Sequence, residues 1–570
     1  MKQNTRDVAI LGGGPAGMFL FKRIVDSGRT DFRVHIFEKT GQLGVGMPYS
    51  AAGANDEHVT NVSDNEIPEI VMPISEWVKI APKELLEHFD INADNFNAYK
   101  VLPRLFFGAY LAAQFDMLLG LAAQSGIEVV VRLQCAVDDI SDNVVAQKVT
   151  VKLSDGMVQD FDDVAICTGH SWPKINEGKI PGYFDSPYPP SKLRFRCDHS
   201  VAVMGASLTA IDAIRTLSRW NGTFTVVADN KRRYERHPDS PQFKIVMHSR
   251  NGLLPAVRFH LEDSHLHNNS MLSRPEIEAA IIANNGFLSL DYIFERDFKA
   301  LFIEKDTSFY ERIKDLTLEE FVDRMMGSRE RMDPFKLLKS EYVEAERSIS
   351  RHESVYWKEL LAELSFAMNY PAKYFSAEDM LRLQTTLMPL ISVVIAFIPQ
   401  GSCEELLALR EAGILELITV GKDSIVVPEL AGGITYEYTD DENRKQAVHY
   451  ETFVDCTGQK HLPFDDFPFT GLKATESIAP ATLKFQSDAA ASAFLAAGNK
   501  NVLKTPDGYV LTVPGIAIND SFQVLDADGL PNDRIYVMTV PFIGGYNPDY
   551  SGLDFCEEAS SRIAKALLSV

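Results

Sequence analysis

The sequence has few cysteines and no long apolar run, and both shortages narrow the class of protein. Six cysteines are scattered through 570 residues with no C-x-x-C spacing, which argues against a dithiol relay and against a metal site. The run LISVVIAFI near residue 395 is about half of the ~20 residues that a membrane helix needs. No leader precedes the first strand, which begins around Asp7, so we expect a reduced, cytoplasmic protein without a secretory signal.

Positive charge is also scarce. Lys and Arg number 56 against 79 Asp and Glu, which gives a formal net charge of −23. Such a surface repels nucleic acid and anionic membranes, so we expect neither as a partner. Anionic cofactors must therefore be held by local devices. The length itself predicts two or three domains.

The first such device is the stretch VAILGGGPAGMFL at residues 8–20. Gly12, Gly14 and Gly17 fit G-x-G-x-x-G between an apolar strand and a helical run. In this motif the glycines allow a tight turn, close approach to a pyrophosphate, and close packing of helix on strand. The phosphate then lies at the helix N-terminus, so we predict a dinucleotide site here.

An acidic residue follows at the expected distance. Glu38 ends the strand FRVHIFEK, about 20 residues after Gly17, where a carboxylate accepts the ribose hydroxyls and disfavours a 2′-phosphate. This indicates FAD or NAD rather than NADP. The glycine-rich stretch GQLGVGMPYS at residues 41–50 favours FAD, because two-dinucleotide flavoproteins bring such a loop past the isoalloxazine ring.

Several segments in this order resemble one family. LGGGPAGM, EKTGQLGVGMPYS, HVTNVSDNEIP, SEW, LPRLFFGAYL and VAICTGH are similar to the FAD-NAD(P)-binding flavoproteins, which are related to the N-hydroxylating monooxygenases. The resemblance covers about the first 215 residues and resumes near residue 450. It implies FAD at the first site, with Met47, Tyr49 and Asn61 near the flavin, Arg104 as a candidate phosphate partner and Val137 beside the adenine. The other candidates for this site are Pro15, Ala16, Lys39, Gly46, Thr168 and Gly169.

A second unit repeats the first. From Val201 the sequence again runs through a strand, a glycine-containing turn and a helix, and ends on FVDCTG as the first unit ends on VAICTG. The second unit is longer by about 96 residues if the two are homologous. Its middle, about residues 256–400, has helical spacing and little glycine, so we predict a helical insertion.

The turn of the second unit departs from the strict motif. In GASLTAID, Gly205 is followed by Ser207 where a glycine is expected; the resemblance implies a nicotinamide site at Gly205, Ser207, Leu208 and Thr209. Arg250 follows a later strand, where a cation can meet a 2′-phosphate, so NADPH is preferred to NADH. The basic cluster at residues 231–233 is interpreted as a solvated charge run.

No acid–base pair, nucleophilic triad or metal motif appears, and the catalytic residues stay unassigned. The histidines of HLEDSHLHN, His260, His265 and His267, do not share a helix face, and we predict no metal site. This pattern is typical of an enzyme whose cofactor carries the electron chemistry. By analogy with two-dinucleotide flavoproteins, the C-terminal segment returns to the flavin, with Gly544, Gly545 and Tyr546 as the candidates.

The sequence therefore predicts an α/β fold with two Rossmann-like units. The expected domains are residues 1–198 and 451–570 for FAD and 199–450 for NAD(P), the latter with the helical insertion. We expect an FAD-dependent NAD(P)H oxidoreductase, and the resemblance implies a monooxygenase that uses oxygen and a small polar or amine-bearing metabolite. The alternatives are a reductase without oxygenation and a non-catalytic redox sensor. Whether the chain forms a homo-oligomer is left open.

Overall fold

Two parallel sheets of similar strand order organise the chain. A computed structural model describes residues 5–227, 231–261, 271–549 and 552–569. In both sheets the strand that precedes the glycine turn lies inside the sheet, and the crossover to its neighbour begins with that turn and a helix. Each unit also carries a separate three-stranded antiparallel sheet.

The first unit contains seven strands and four helices. Its strands are β1 (Arg6–Leu11), β2 (Phe32–Phe37), β3 (Glu128–Arg132), β4 (Val137–Asn143), β5 (Lys148–Leu153), β6 (Val158–Phe161) and β7 (Asp163–Ile166). Its helices are α1 (Pro15–Asp26), α2 (Ile74–Trp77), α3 (Lys83–His88) and α4 (Arg104–Gln124). Strands β7, β1, β2 and β3 are neighbours in parallel pairing, and β4, β5 and β6 form the antiparallel sheet.

The second unit follows the same plan with a long helical segment added. Its strands are β8 (Tyr183–Phe184), β9 (Ser200–Met204), β10 (Gly222–Val226), β11 (Arg232–Arg236), β12 (Lys244–Ser249), β13 (Leu415–Thr419), β14 (Ile425–Pro428), β15 (Ile434–Thr439), β16 (Lys445–Tyr450) and β17 (Thr452–Asp455). Its helices are α5 (Leu208–Asn221), α6 (Arg274–Ala283), α7 (Leu290–Asp297), α8 (Phe302–Lys305), α9 (Thr307–Ile313), α10 (Leu318–Glu330), α11 (Pro334–Arg351), α12 (Tyr356–Ala367), α13 (Ala377–Arg382), α14 (Met388–Val394) and α15 (Gln400–Glu411).

The strand orders confirm the predicted pair of Rossmann-like units. With β22 (Pro531–Val537) from the C-terminal segment, the order β22-β7-β1-β2-β3 of the first sheet corresponds to β8-β17-β9-β12-β13 of the second. The helices α6 to α15 all lie between β12 and β13, so the extra length of the second unit is the predicted helical insertion.

The C-terminal segment completes the first sheet. It contains β18 (Pro480–Lys484), β19 (Val502–Thr505), β20 (Gly508–Ile516), β21 (Gln523–Leu525) and β22 (Pro531–Val537), with helices α16 (Thr470–Ala474), α17 (Asp488–Ala496) and α18 (Leu553–Leu568). Strand β22 pairs in parallel with β7, and α18 packs along α1 with an Arg23–Glu557 ion pair between them. The segment from residue 470 onwards thus returns to the first unit.

The pairings of two strands change the expected domain boundaries. Strand β8 lies within the expected range 1–198, and β17 within 451–570, yet both strands belong to the second sheet. The second unit is therefore wider than residues 199–450. The reason is that β17 must pair with β9 to complete the core of the second unit, and β8 then covers its edge.

Helix α4 is longer and more apolar than the sequence reading allowed for. It spans 21 residues with a mean hydropathy of 1.5 in its most apolar window, and within the described residues it alone has the length and composition to cross a membrane. Half of that window is buried inside the protein, and Phe115 stacks on Phe21 of α1 at 5.6 Å between ring centroids. In this fold α4 is a core helix.

Candidate functional site

A first cavity of about 320 Å³ opens at the carboxyl ends of β1, β2 and β7. Ligands of open α/β sheets bind at this edge. Its wall contains the glycine turn, Glu38 and Val137, and also Met47, Tyr49 and His170.

The glycine turn has the geometry of a phosphate cradle. Helix α1 begins after Gly14 with Pro15 at its first turn, and no side chain caps its free N–H groups. A Cβ on Gly14 would lie 3.2 Å from the Cα of Gly46 in the second glycine loop, and a Cβ on Gly17 would lie 2.1 Å from the oxygen of Gly12. The space in front of the helix is thus kept open by the absence of side chains, which fits a pyrophosphate at the helix N-terminus.

Glu38 is held in place by backbone donors. Its Oε2 accepts from the N–H of Gly13 at 2.9 Å, and its Oε1 accepts from the N–H of Thr40 at 2.8 Å. The side chain is buried at the cavity wall. Because each carboxylate oxygen has a second lone pair, Glu38 retains acceptor capacity for ribose hydroxyls.

Most of the residues predicted for the first site line this cavity. They are Gly12, Gly14, Pro15, Ala16, Glu38, Lys39, Gly46, Met47, Tyr49, Val137, Thr168 and Gly169. Gly17 lies behind the turn, where it packs α1 on β1. The roles of these residues in binding stay predictions.

A second cavity of about 510 Å³ adjoins the first. The two share Met47, Pro48, Tyr49, His170, Gly552 and Leu553 as wall residues. Leu208 and Thr209, at the start of α5, and Ala362 and Phe366 of α12 line its other sides. The second cavity therefore lies where the first unit, the turn of the second unit and the helical insertion meet.

The structure gives Arg104 a different partner from the one expected. Its Nη1 lies 2.6 Å from Oδ2 of Asp212, its Nη2 lies 3.2 Å from Oδ1, and its Nε donates to the oxygen of Val59. Tyr188 also donates to Asp212 at 2.7 Å. Arg104 and Asn61 line the second cavity rather than the first, because Arg104 joins α4 of the first unit to α5 of the second.

This ion pair is buried between the two units. Although burial opposes ionisation, the charge of Arg104 holds the pKa of Asp212 below its usual value. Asp212 is the aspartate of the GASLTAID turn. The pair thus connects the motif of the second unit directly to the first unit.

The turn of the second unit repeats the first in its backbone. Gly12 and Gly205 have φ of 113° and 109°, and a Cβ on either would lie 2.6 or 2.7 Å from the oxygen of the cysteine that ends the neighbouring strand, Cys167 or Cys456. Only glycine fits at these two positions. Ser207 has φ −94° and ψ −166°, close to Gly14 at −77° and −168°, so its backbone does not require glycine.

Backbone hydrogen bonds also align the following strands. The N–H of Gly12 donates to the oxygen of Phe37, and the N–H of Gly205 donates to the oxygen of His248. Counting on from these residues, Ser249 and Arg250 of the second unit stand where Glu38 and Lys39 stand in the first. Arg250 is exposed at the end of β12.

The basic cluster beyond β10 is mostly engaged within the protein. Arg232 pairs with Glu404 at 2.9 Å and Arg233 with Glu235 at 3.4 Å, whereas Lys231 is exposed. This agrees with its interpretation as a solvated charge run.

The C-terminal contact with the first cavity differs from the expected one. Gly544, Gly545 and Tyr546 line neither cavity, and the Tyr546 hydroxyl bonds to the backbone of Thr482. The wall residues come from further along the chain: Gly552, Leu553, Phe555 and Cys556, with Met538 and Val540 before them. The turn at Gly544 is instead packed against the sheet of β18 to β20, since a Cβ on Gly545 would lie 2.3 Å from the oxygen of Pro514.

His170 and Asp549 are wall residues that the sequence reading did not select. The Nδ1 atom of His170 is buried without a hydrogen-bond partner in the described part of the chain, and burial lowers the pKa of the ring. His170 is the last residue of the segment VAICTGH. Its place directly after Thr168 and Gly169 is the feature of the sequence from which its position in the wall could have been predicted. Burial raises the pKa of Asp549 to about 6, and no described Lys, Arg or His forms a salt bridge with it.

The histidines considered as metal ligands are only partly described. His265 and His267 lie outside the described residues. His260 is buried, with its ring 5.1 Å from Tyr99 and 5.2 Å from His352. No group of three or more potential metal ligands occurs within the described ranges.

Comparison with known proteins defines the class. Residues 9–171 match the family described as FAD-NAD(P)-binding, and residues 273–395 match the YdhS-like middle domain. The expected resemblance to two-dinucleotide flavoproteins is thereby confirmed, and FAD and NAD(P)H are the cofactors of the class. The fold is that of an FAD- and NAD(P)-binding protein with two Rossmann-like units.

Among individual proteins, the chain is 28% identical over 476 residues to the uncharacterized protein YdhS of Escherichia coli (strain K12), covering 82% of this chain and 86% of YdhS. One solved structure of similar fold is the ornithine N-hydroxylase KtzI of Kutzneria sp. 744, with 12% identity, 99% of each chain covered and a TM-score of 0.42. Another is the L-lysine 6-monooxygenase of Pseudomonas syringae, with 12% identity, 99% of each chain covered and a TM-score of 0.44. A third is the bacillithiol disulfide reductase Bdr of Staphylococcus aureus, with 10% identity, coverage of 100% and 99%, and a TM-score of 0.42.

Proposed function

We propose that the chain is an FAD-dependent monooxygenase that oxidises NADPH and acts on a small molecule bound in the second cavity. The observation that carries this proposal is the position of that cavity. It shares a wall with the first cavity at Met47, Tyr49 and His170 and is bounded on its other sides by the second unit and the insertion. A substrate held there would lie beside Met47, Tyr49 and His170, which also line the first cavity.

The binding of FAD in this proposal depends on residues already placed. The α1 N-terminus and the turn at Gly14 would hold the pyrophosphate, Glu38 the ribose and the backbone near Val137 the adenine. FAD held by these residues would supply the electron chemistry, accepting hydride from a nicotinamide and reducing oxygen. The protein's own contribution is to position the reactants and to exclude water.

The strand ends favour NADPH at the second unit. The first unit presents Glu38, whose carboxylate repels a phosphate, whereas the aligned Ser249 is a small hydroxyl followed by Arg250. An exposed guanidinium is suited to pair with a 2′-phosphate. We infer that the two units divide the cofactors, with FAD at the first and NADPH at the second.

The cysteines of the first cavity do not favour a dithiol reductase. Cys135, Cys167 and Cys556 line it, and all six cysteines of the chain are free. Burial raises the pKa of the Cys556 thiol to about 12 and raises that of Cys167 well above its usual value. Because the thiolate is the reactive form, these residues are held inert.

Two wall residues are suited to handle the substrate. His170 is neutral at physiological pH because burial lowers its pKa, so one ring nitrogen can accept a proton or a hydrogen bond. The Asp549 carboxyl can accept from a polar hydrogen of the substrate, such as that of an amine. Asp549 is fixed by its backbone, since its N–H donates to Asn369 at 2.7 Å.

A metabolite screen on the FAD-loaded protein tests the proposal. NADPH consumption, oxygen consumption, hydrogen peroxide and product mass are measured together. We expect at least one compound to accelerate NADPH consumption and to yield a product heavier by one oxygen atom, with little peroxide. Peroxide in proportion to NADPH for every compound contradicts oxygenation and favours the reductase. The variant His170→Asn gives a second test. We expect it to keep FAD but to release a larger fraction of the consumed oxygen as hydrogen peroxide.

A further inference from the structure

The helical insertion encloses a third cavity of about 570 Å³. It lies between α6, α7, α12 and the C-terminal helix α18, and no residue of either glycine turn lines it. Its wall is mainly aliphatic, with Leu272, Ile277, Ile281 and Ile293 among the lining side chains. Cavities of this size and composition are typical of small-molecule sites.

One aromatic ring belongs to the walls of both the second and the third cavity. Phe366 lines the two cavities, whereas Ala362 lines only the second and Glu363 only the third. Helix α12 is thus the partition between them, and Phe366 stands at the position where they meet. The side chain of Phe366 is therefore the point at which the two cavities come closest to sharing one space.

The charges at the rim of the third cavity are largely satisfied within the protein. Arg562 pairs with Glu558 at 2.9 Å, and Arg274 pairs with Glu278 at 2.9 Å. Asp297 accepts from the N–H of Leu272 at 2.8 Å. These groups have little need of an ionic ligand, so the cavity is suited to an uncharged one.

One polar group in this cavity is left without a partner. The hydroxyl of Tyr370 is buried and has no hydrogen-bond partner in the described part of the chain. The guanidinium of Arg562 lies over the Tyr370 ring, 3.5 Å from its centroid, but guanidinium groups only donate and cannot take the hydroxyl proton. A buried donor of this kind is costly unless something accepts from it.

We propose that the substrate is amphipathic: its polar, reactive end lies in the second cavity, and its apolar part passes Phe366 into the third cavity, where Tyr370 donates to an acceptor on it. This inference rests on the proposed function and specifies its substrate class. It also gives the insertion, which has no counterpart in the first unit, a role in recognising the apolar part of the substrate.

Binding of a neutral apolar probe tests the third cavity. N-phenyl-1-naphthylamine is titrated into the FAD-loaded protein, and its fluorescence is followed. We expect saturable binding that dodecanol displaces and butanol does not. Ile281→Glu places a charge in the aliphatic wall, and we expect it to weaken binding by roughly 10-fold or more. The matched control is Ile303→Glu, at a residue of α8 that is 49% exposed and lines none of the three cavities.

The partition is tested by the absorbance spectrum of the bound flavin. We expect dodecanol to shift that spectrum in the wild type and in Phe366→Ala. Phe366→Trp is expected to keep probe binding but to lose the dodecanol shift. Equal probe binding by wild type and Ile281→Glu, or an unchanged shift in Phe366→Trp, overturns the inference.

The same samples separate this inference from the proposed function. FAD content and NADPH-driven bleaching of the flavin are measured in every variant. If both are normal and the probe does not bind, the amphipathic substrate is wrong while the flavoprotein assignment stands. If Ile281→Glu does not fold, Ile277→Glu serves instead, because Ile277 lines the same wall and is partly exposed.

Discussion

The two glycine turns of this chain have nearly the same backbone and different side chains. Gly12 and Gly205 adopt the same left-handed conformation against the end of a neighbouring strand. At the next motif position the first unit has Gly14, which faces Gly46 of a second glycine loop, whereas the second unit has Ser207. The first glycine of the motif is thus required by the backbone of the turn in both units. The second is required only in the first unit, where Gly14 packs against the loop of Gly46.

The largest effect is expected at Gly14. In Gly14→Val the side chain enters the space between α1 and Gly46, so we expect protein that folds but is purified without FAD. Flavin absorbance per protein is the measurement. Ser207→Ala, the matched change in the second unit, is expected to leave the flavin content unchanged. Full flavin occupancy in Gly14→Val contradicts the assignment of the first site.

The next effect concerns the ion pair that joins the two units. Arg104→Ala leaves Asp212 charged and buried, and we expect the free energy of unfolding to fall by about 3–5 kcal/mol. Denaturant unfolding of the FAD-loaded protein measures this. Lys22→Ala, which removes a pair with the half-exposed Asp26, is expected to cost less than about 1 kcal/mol. If the two losses are equal, the Arg104–Asp212 pair does not hold the units together.

The third prediction concerns the choice between NADPH and NADH. It depends on Arg250, which stands in the second unit at the position that Lys39 has in the first. Arg250→Ala removes a charge-assisted contact worth ~1.5–3 kcal/mol, which corresponds to roughly a 10- to 150-fold rise in the KM for NADPH. The KM for NADH is expected to stay nearly constant, because NADH has no 2′-phosphate. Arg233→Ala is the control, since Arg233 is exposed and pairs with Glu235. Equal losses with both coenzymes remove Arg250 from this role.

The smallest effect is a pH dependence of the free energy of unfolding. It arises from His248, which occupies in the second unit the position that Phe37 has in the first. His248 is buried against Tyr436, with its ring nitrogens unpartnered among the described residues, and burial lowers its pKa to about 4 from an ordinary 6.5. The unfolded chain therefore takes up a proton first, and stability is lost as the pH falls from about 6.5 towards 4.

His248→Phe makes the second unit resemble the first at this position. We expect it to recover about 1–2 kcal/mol of the free energy of unfolding at pH 5 and little at pH 8. Denaturant unfolding at the two pH values is the measurement. A gain that is the same at both pH values shows that packing rather than protonation is responsible.

The sequence predicted the two-unit fold because its signals are local. A strand followed by a glycine turn and a helix carries its own pattern, and Cys-Thr-Gly at the end of each unit marks the repeat. The partner of Arg104 was not predictable in this way, since Asp212 lies more than a hundred residues away and the pair forms only when the units dock. Gly544 to Tyr546 were chosen by analogy, but the short sheet from β18 to β20 draws that turn away from the first cavity.

The site residues show the same contrast between local motifs and contacts of distant residues. Gly12, Gly14 and Glu38 were identifiable because the motif fixes their spacing. Asp549 carries no motif, and its position depends on a backbone bond to Asn369 in the insertion. The cytoplasmic location and the oligomeric state stay predictions.

Strand β22 and the segment from Gly552 to Cys556 have a consequence for how the protein matures. The wall of the first cavity contains Met538 and Leu553, although the glycine turn is made from the first twenty residues. During synthesis the phosphate cradle leaves the ribosome long before the residues that close its far side. The cofactor therefore cannot be fully enclosed until the residues from Met538 to Cys556 have been synthesised.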